Sequence, residues 1–290
     1  ELETREILKQ HRPDLDVSIS SEVAPEIREY ERFSTTVCNA YVQPLMASYL
    51  GKIKAGLEGK DIKSPFLLIT SGGGLTTLET ASKFPIRLVE SGPAGGAILA
   101  SKVSSQIGSN ASLSFDMGGT TAKLCLIDSS EPRISRQFEV DRSYRFKKGS
   151  GLPLKIPVIE MLEIGAGGGS IAHVDKMDRI KVGPESAGSS PGPACYNLGG
   201  NQPTVTDADL LQGKMVIKNF PFFLNTDLGR EAINKIISEN LGISDIDSAL
   251  GITEVVDENM ASAAKTHAAE YGLDLGERDL IAFGGAAPIH

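Results

Sequence analysis

An α/β fold is what the sequence predicts, and three observations predict it. Short apolar runs of strand length recur at residues 65–70, 86–89, 113–115, 124–127 and 279–283. Longer stretches with apolar residues at helical spacing lie between and after them, at 27–50, 97–107, 227–241 and 252–271. Glycine-rich turns follow several of the runs, at 71–74, 118–119, 165–169 and 284–285, where open α/β sheets tend to place their ligands.

The chain has 290 residues, enough for about two domains. With 40% apolar and 23% charged residues it reads as an ordinary globular protein. A formal charge of −8 argues against general affinity for nucleic acid or anionic membranes, so any bound phosphate must be held locally. No stretch approaches the ~20 apolar residues of a membrane helix, and no signal-peptide pattern opens the chain. Cys38, Cys125 and Cys195 are widely spaced, which suggests neither a disulfide framework nor a zinc site, and a cytoplasmic location is expected. The absent initiator Met and the stop just beyond a glycine turn are expected of a piece of a longer polypeptide.

Ser20 and Ser21 offer caps, and a helix is expected from Ile27 to about Gly51, kinked or divided at Pro44. Tyr30, Phe33, Tyr41 and Tyr49 are expected in its core contacts, and Asn39 as a satisfied buried amide. Residues 65–70 fit a strand buried on both faces, running into Ser71-Gly72-Gly73-Gly74, where Gly72 and Gly73 are candidate loop contacts. A second short strand is expected at 86–89. The helix after Glu90-Ser91-Gly92 should end at Gly108, its small residues leaving free N–H groups at its start.

Phe115-Asp116-Met117-Gly118-Gly119-Thr120-Thr121 places a carboxylate, two glycines and two hydroxyls at the tip of an expected β-hairpin. Glycine leaves backbone N–H groups open to an anion, Thr120 and Thr121 add donors, and Asp116 is suited to a metal bound to phosphate. A plain Gly-Gly turn with a solvated Asp is the alternative for this motif alone. The basic stretch 142–151 is expected as a solvated loop. Gly165-Ala166-Gly167-Gly168-Gly169-Ser170 resembles a dinucleotide fingerprint, but its continuation reads as strand, so that assignment fails its context. Gly167, Gly168 and Gly169 still permit close backbone approach. Residues 181–196 are expected as an ordered, irregular loop, with Cys195 a packed thiol. Thr204 caps a helix in which Asp207 serves either the cap or a cation. His173 and His290 adjoin glycine turns and are candidate site residues, whereas His11 and His267 are expected at the surface.

Taken together, SGGG at Ser71, ESGPAGG at Glu90, FDMGGTTAK at Phe115, EIGAGGGSIAHVD at Glu163, VGPESAGSSPGPACY at Val182, PTVTDADLL at Pro203 and FGGAAPIH at Phe283 resemble the hydantoinase A and 5-oxoprolinase family. The resemblance covers most of residues 22–290. It implies part of the ribonuclease H-like nucleotide-binding fold shared by actin, sugar kinases and heat-shock ATPases. Residues 1–90 would end its first subdomain and 91–290 would form the second. It further implies ATP and Mg²⁺ as cofactors, with Asp116 as catalytic residue and metal ligand. Gly118, Gly119, Thr120 and Thr121 would cradle phosphate, and Gly284, Gly285 and Ala286 would border adenosine. The family's first phosphate hairpin, D-x-G-G-T-x-T-D, would lie upstream of Glu1. Lys123 stands where many relatives carry Asp, and Ala287 where Gly is usual. The implied reaction is ATP-driven opening of a cyclic amide or imide such as hydantoin, N-methylhydantoin or 5-oxoproline, with a hydantoinase B-type subunit or domain as partner and oligomeric assembly. The alternatives are a carboxylase subunit acting on acetone or acetophenone, or a non-catalytic nucleotide-binding or docking domain.

Overall fold

The computed structural model of the chain describes residues 1–140 and 149–290; the expected basic stretch lies, for residues 142–148, outside them. Two units emerge, Glu1–Leu99 with Pro132–Glu160 and Ala100–Glu131 with Met161–His290. The return of 132–160 to the first unit is a discontinuity that the two-part sequence reading does not contain.

In the first unit, α1 (Leu2–His11) is followed by α2 (Glu29–Glu58), which is one continuous helix through Pro44. Its inward face carries Ser34, Thr35, Asn39 and Leu50. Asn39 meets the expectation of a satisfied amide: Nδ2 donates to Ser18 Oγ (3.0 Å) and Lys83 O (3.1 Å), and Oδ1 accepts from the Ile86 N–H (3.3 Å). The aromatics do not follow their expectation. Tyr30, Phe33, Tyr41 and Tyr49 are 68%, 49%, 86% and 56% exposed, on a stripe they share with Val37 and Leu45. Periodicity identifies an apolar stripe but not what packs on it, and here the unit's core meets the opposite, more polar face. Tyr41→Ser should therefore change the chain's stability by less than about 0.5 kcal/mol, whereas Leu50→Ala should cost about 2–5 kcal/mol. Thermal melts of the two variants check this.

Two strand expectations are also corrected. Residues 65–70 do not form a strand buried on both faces. Instead, β1 (Leu67–Ile69) pairs antiparallel with β2 (Leu75–Thr77), and Leu67 and Leu75 are exposed. The glycines fold the chain back at once, with Gly73 at φ +82° and the Thr70 N–H donating to Gly74 O at 2.8 Å. Pro85–Leu88 is a 3₁₀ turn, because Pro85 fits the first turn of a helix and the Ile86 N–H is taken by Asn39. Val23, Ile86, Leu154, Ile156 and Val158 form the unit's core.

Helix α3 (Ser91–Ile107) ends at Gly108, φ +72°, as expected. In the second unit, β3 (Ala111–Met117) and β4 (Ala122–Asp128) form the expected antiparallel hairpin, with Met117 opposite Ala122. Strand β5 (Leu162–Ile164) pairs antiparallel with β4. Strands β6 (Ser170–Val174) and β7 (Ile180–Ser186) form a separate ribbon, so the first part of the expected irregular loop is strand. The helices α4 (Val205–Leu211) and α5 (Asp245–Glu270) follow, α5 starting earlier than its apolar spacing suggests because the Ser244 Oγ accepts from the Asp247 N–H at 3.1 Å. Strand β8 (Asp279–Phe283) pairs parallel with β3, giving the sheet order β5-β4-β3-β8. It ends that order, and Leu280 is 60% exposed, which is why this run is not the buried strand its composition suggests. Phe115, Met117, Leu124 and Leu126 of the hairpin pack in one core with Ile252, Val256 and Met260 of α5. His267, expected at the surface, is 8% exposed and stacks edge-on against Tyr271 at 5.3 Å.

Candidate functional site

The hairpin tip is set by its closing pair. Met117 opposite Ala122 leaves residues 118–121 to turn the chain, and the Gly118 N–H donates to Thr121 O at 3.1 Å. Gly119 and Thr120 are exposed at the tip.

The 165–170 segment packs directly on that turn. The Gly168 N–H donates to Gly118 O at 3.0 Å and the Gly169 N–H to Gly119 O at 2.7 Å. A Cβ on Gly167 would lie 2.7 Å from the backbone of both Gly119 and Thr120. All three glycines are buried, so their missing side chains serve close backbone packing of the tip. Helix α4 holds this segment in turn, with the Thr206 N–H and Oγ1 donating to Gly168 O at 2.7 and 2.8 Å. On the other side the Ala286 N–H donates to Met117 O at 3.0 Å. Gly284, at φ +97°, has room only for hydrogen: a Cβ would meet Asp116 Oδ1 and Met117 O at 2.6 Å. Three glycine segments far apart in sequence are thus brought together with Asp116.

Asp116 stands opposite Lys123 on the neighbouring strand. Partial burial raises its pKa above the ordinary carboxylate value, and the Lys123 charge offsets only part of that rise. Lys123 Nζ itself lies 3.6 Å from Glu163 Oε1.

Other candidates lie elsewhere. Gly72 and Gly73 belong to the first unit, packed on Pro157, Ile98 and Ile159. His173 is exposed on β6, opposite Lys181 on β7. Asp207 is 1% exposed and accepts from the N–H groups of Ala194 (3.2 Å), Cys195 (2.8 Å) and Thr204 (2.9 Å) and from Thr204 Oγ1 (2.8 Å), completing a capping box. Of the two roles open to it, the cap is the one its surroundings show. Asp207→Ala should cost about 3 kcal/mol or more, since it strands several buried donors at once, and a denaturant titration measures that loss. Cys195 is fully buried; burial first, then the Asp207 charge, pushes its thiol pKa upward, consistent with a packed thiol. His290, by contrast, is bound by two carboxylates, Nδ1 lying 2.8 Å from Asp257 Oδ1 and Nε2 3.3 Å from Asp209 Oδ2. Asp257 carried no sequence signal, and Thr206 and Asp209 were marked only as part of the 203–211 motif, because their roles depend on which loops meet them in space.

The profile of the hydantoinase/oxoprolinase family matches residues 32–290. The chain belongs to that family. Among the family's proteins, an uncharacterised protein of Methanocaldococcus jannaschii is 40% identical over 100% of this chain and 43% of its own length. Caprolactamase subunit alpha of Pseudomonas jessenii is 37% identical over 96% of this chain and 39% of its own. The chain therefore spans well under half the length of these relatives. In the solved structure of nucleotide-free acetone carboxylase, described in terms of ATP-dependent acetone carboxylation, one chain superimposes with a TM-score of 0.82 at 26% identity, covering 100% of this chain and 40% of that one. The α/β fold of this chain is shared with the acetone carboxylase chain. Among the described residues, no helix is long and apolar enough to cross a membrane.

Proposed function

We propose that the second unit supplies a phosphate-binding half-site to an ATP-dependent enzyme that opens a cyclic amide or imide. The observation that carries this reading is the convergence of the hairpin tip, with its open Gly118 and Gly119, the 284–286 turn, whose Gly284 has room only for hydrogen, and Asp116. A hairpin on β3 and β4 with a glycine turn after the adjacent β8 fits the second half of an actin-like nucleotide fold.

The residues fit the implied cofactors. Gly118, Gly119, Thr120 and Thr121 present an exposed or half-exposed turn suited to phosphate oxygens, and Gly284, Gly285 and Ala286 suit the nucleoside side. Among the described residues no cluster of three His, Cys, Asp or Glu side chains is placed to hold a metal. Asp116, a partly buried carboxylate against the 284–286 turn, fits Mg²⁺, which takes most of its ligands from phosphates and water. When bound, Mg·ATP would supply the phosphoryl group that, carried on the amide oxygen, makes the ring carbon electrophilic toward water; the C–N bond would then break with the ring nitrogen leaving as the protonated amine, and the phosphate would be released by hydrolysis. The chain's own contribution is positional: Asp116 orients the metal or water, and the tip holds the phosphates at fixed distance.

Substrate-dependent ADP release by the full-length protein tests this, with hydantoin, N-methylhydantoin, 5-oxoproline and caprolactam as substrates. Release with one of them is expected; none with any cyclic amide or ketone overturns the enzyme reading in favour of a binding or docking domain. The likeness to acetone carboxylase favours a second reading, a carboxylase subunit, which bicarbonate-dependent turnover of a ketone would select. A hydantoinase B-type partner supplying the ring-opening groups agrees with the subunit name of the caprolactamase relative.

A further inference from the structure

We propose that His290 is a positioning residue that holds the 284–286 turn against the phosphate hairpin by bridging carboxylates on two separate helices; the inference rests on the nucleotide-binding reading above. Its imidazole is 1% exposed and lies between Asp209 of α4, itself 3% exposed, and Asp257 of α5, 45% exposed. Four residues before it the chain is pinned to the hairpin by the Ala286 N–H on Met117 O. The segment between is a single tight turn, with the Ile289 N–H donating to Ala286 O (3.0 Å), the His290 N–H to Ala287 O (3.2 Å), and Ala287 fully buried.

These links close a ring. From the hairpin the path runs through Ala286 to His290 and across to Asp209 on α4. From α4 it returns through Thr206 to Gly168, which is bound to Gly118 at the tip. The imidazole and Asp209 are the charged pair through which the circuit's two arms meet, so the relative placement of the two faces of the site is set partly through His290. Asp257 braces the second ring nitrogen from α5, and Lys214, 3.7 Å from Asp209 Oδ1, is the other charge facing the pair.

The bridge depends on charge. Burial alone would lower the His290 pKa, but the carboxylates of Asp209 and Asp257 outweigh it and raise the pKa from 6.5 to about 9. At neutral pH the imidazole is protonated: Nδ1 is hydrogen-bonded to Asp257, and Nε2, which makes no hydrogen bond, faces Asp209 at ion-pair distance. Because the folded pKa lies above the unfolded value, this contribution is complete below about 6.5 and is lost as pH rises through about 9.

The test is equilibrium binding of a non-hydrolysable Mg·ATP analogue to the full-length protein between pH 6.5 and 10, for wild type, His290→Gln, Asp257→Asn and the double variant. His290→Gln should weaken binding about tenfold or more at pH 7.5, the range seen when a group that orients binding ligands is removed. Its turnover should show this as a raised KM for ATP with kcat much less affected. Asp257→Asn, at a half-exposed site, should move the pH at which affinity falls downward from about 9, because one of the two charges raising that pKa is gone. Adding it to His290→Gln should have little further effect, since both act through one imidazole. A purely structural His290 would lower the melting temperature without moving the pH midpoint. If wild type binds the analogue and Asp257→Asn changes neither affinity nor midpoint, the positioning role is overturned even if His290→Gln fails to fold. If wild type binds none at any pH, the nucleotide-binding reading fails, and this inference with it.

Discussion

Asp116→Asn in the full-length protein is expected to abolish substrate-dependent ATP turnover, with a loss of about 10³-fold or more, while leaving the fold intact. The magnitude follows from removing a fixed charge aimed at the reacting phosphates in a partly desolvated site, a substitution that costs about 10²–10³ in kcat for a single preorganised group and more when a metal is lost with it. The structure also predicts the sign of the stability change. Burial raises the pKa of Asp116, so its ionised form is disfavoured by folding at neutral pH. Asn keeps the shape and removes that charge, while the β3–β4 backbone pairing from Ala111–Asp128 to Met117–Ala122 is untouched. The variant should melt at the same temperature as wild type or slightly higher. A protein that loses activity while gaining stability has lost a functional group and not a scaffold residue. Near-normal turnover would remove Asp116 from the chemistry, and a much lower melting temperature would show that its role is structural.

What could be read from the sequence follows the range of the interactions concerned. The β3–β4 hairpin, the end of α3 at Gly108 and the cap at Thr204 were all legible, because each is decided by residues close together in the chain. The glycine segments were legible as unusual backbone, but their purpose was not. Gly167, Gly168 and Gly169 could as well approach a ligand as another loop, and only the meeting of 165–170 with 118–121 shows that they pack on the hairpin. The aromatic stripe of α2 failed for the complementary reason: its spacing marked a face correctly, and no local signal says that the core meets the other one. The strand expected at 65–70 was lost to pairing with its own continuation once Gly73 turned the chain. The His290 bridge was invisible because Asp209 and Asp257 come from helices far apart in the sequence.

The glycines of the site separate what the fold needs from what the ligand needs, and that gives the second large effect. Gly167→Ala would place a methyl 2.7 Å from the Gly119 and Thr120 backbone, and Gly284→Ala would place one 2.6 Å from Asp116 Oδ1 and Met117 O at a φ of +97°. Backbone cannot step aside as a flexible side chain can, so either change should displace the hairpin tip and destabilise the chain by about 1–3 kcal/mol. Gly119→Ala is different. Its added methyl meets nothing within 4 Å, and the residue is exposed, so the fold has no use for the missing side chain. If the tip holds phosphate, that open space belongs to the nucleotide. Gly119→Ala should then keep the wild-type melting temperature to within a degree or two, yet bind the Mg·ATP analogue at least about tenfold more weakly, because a methyl blocks close approach of the anion to the backbone N–H groups. Melting curves and binding isotherms on the three variants, made in the full-length protein, distinguish the cases. Loss of stability in Gly119→Ala would mean the tip is a structural turn. Unchanged binding in Gly119→Ala, with wild type itself binding the analogue, would move the phosphates away from this hairpin.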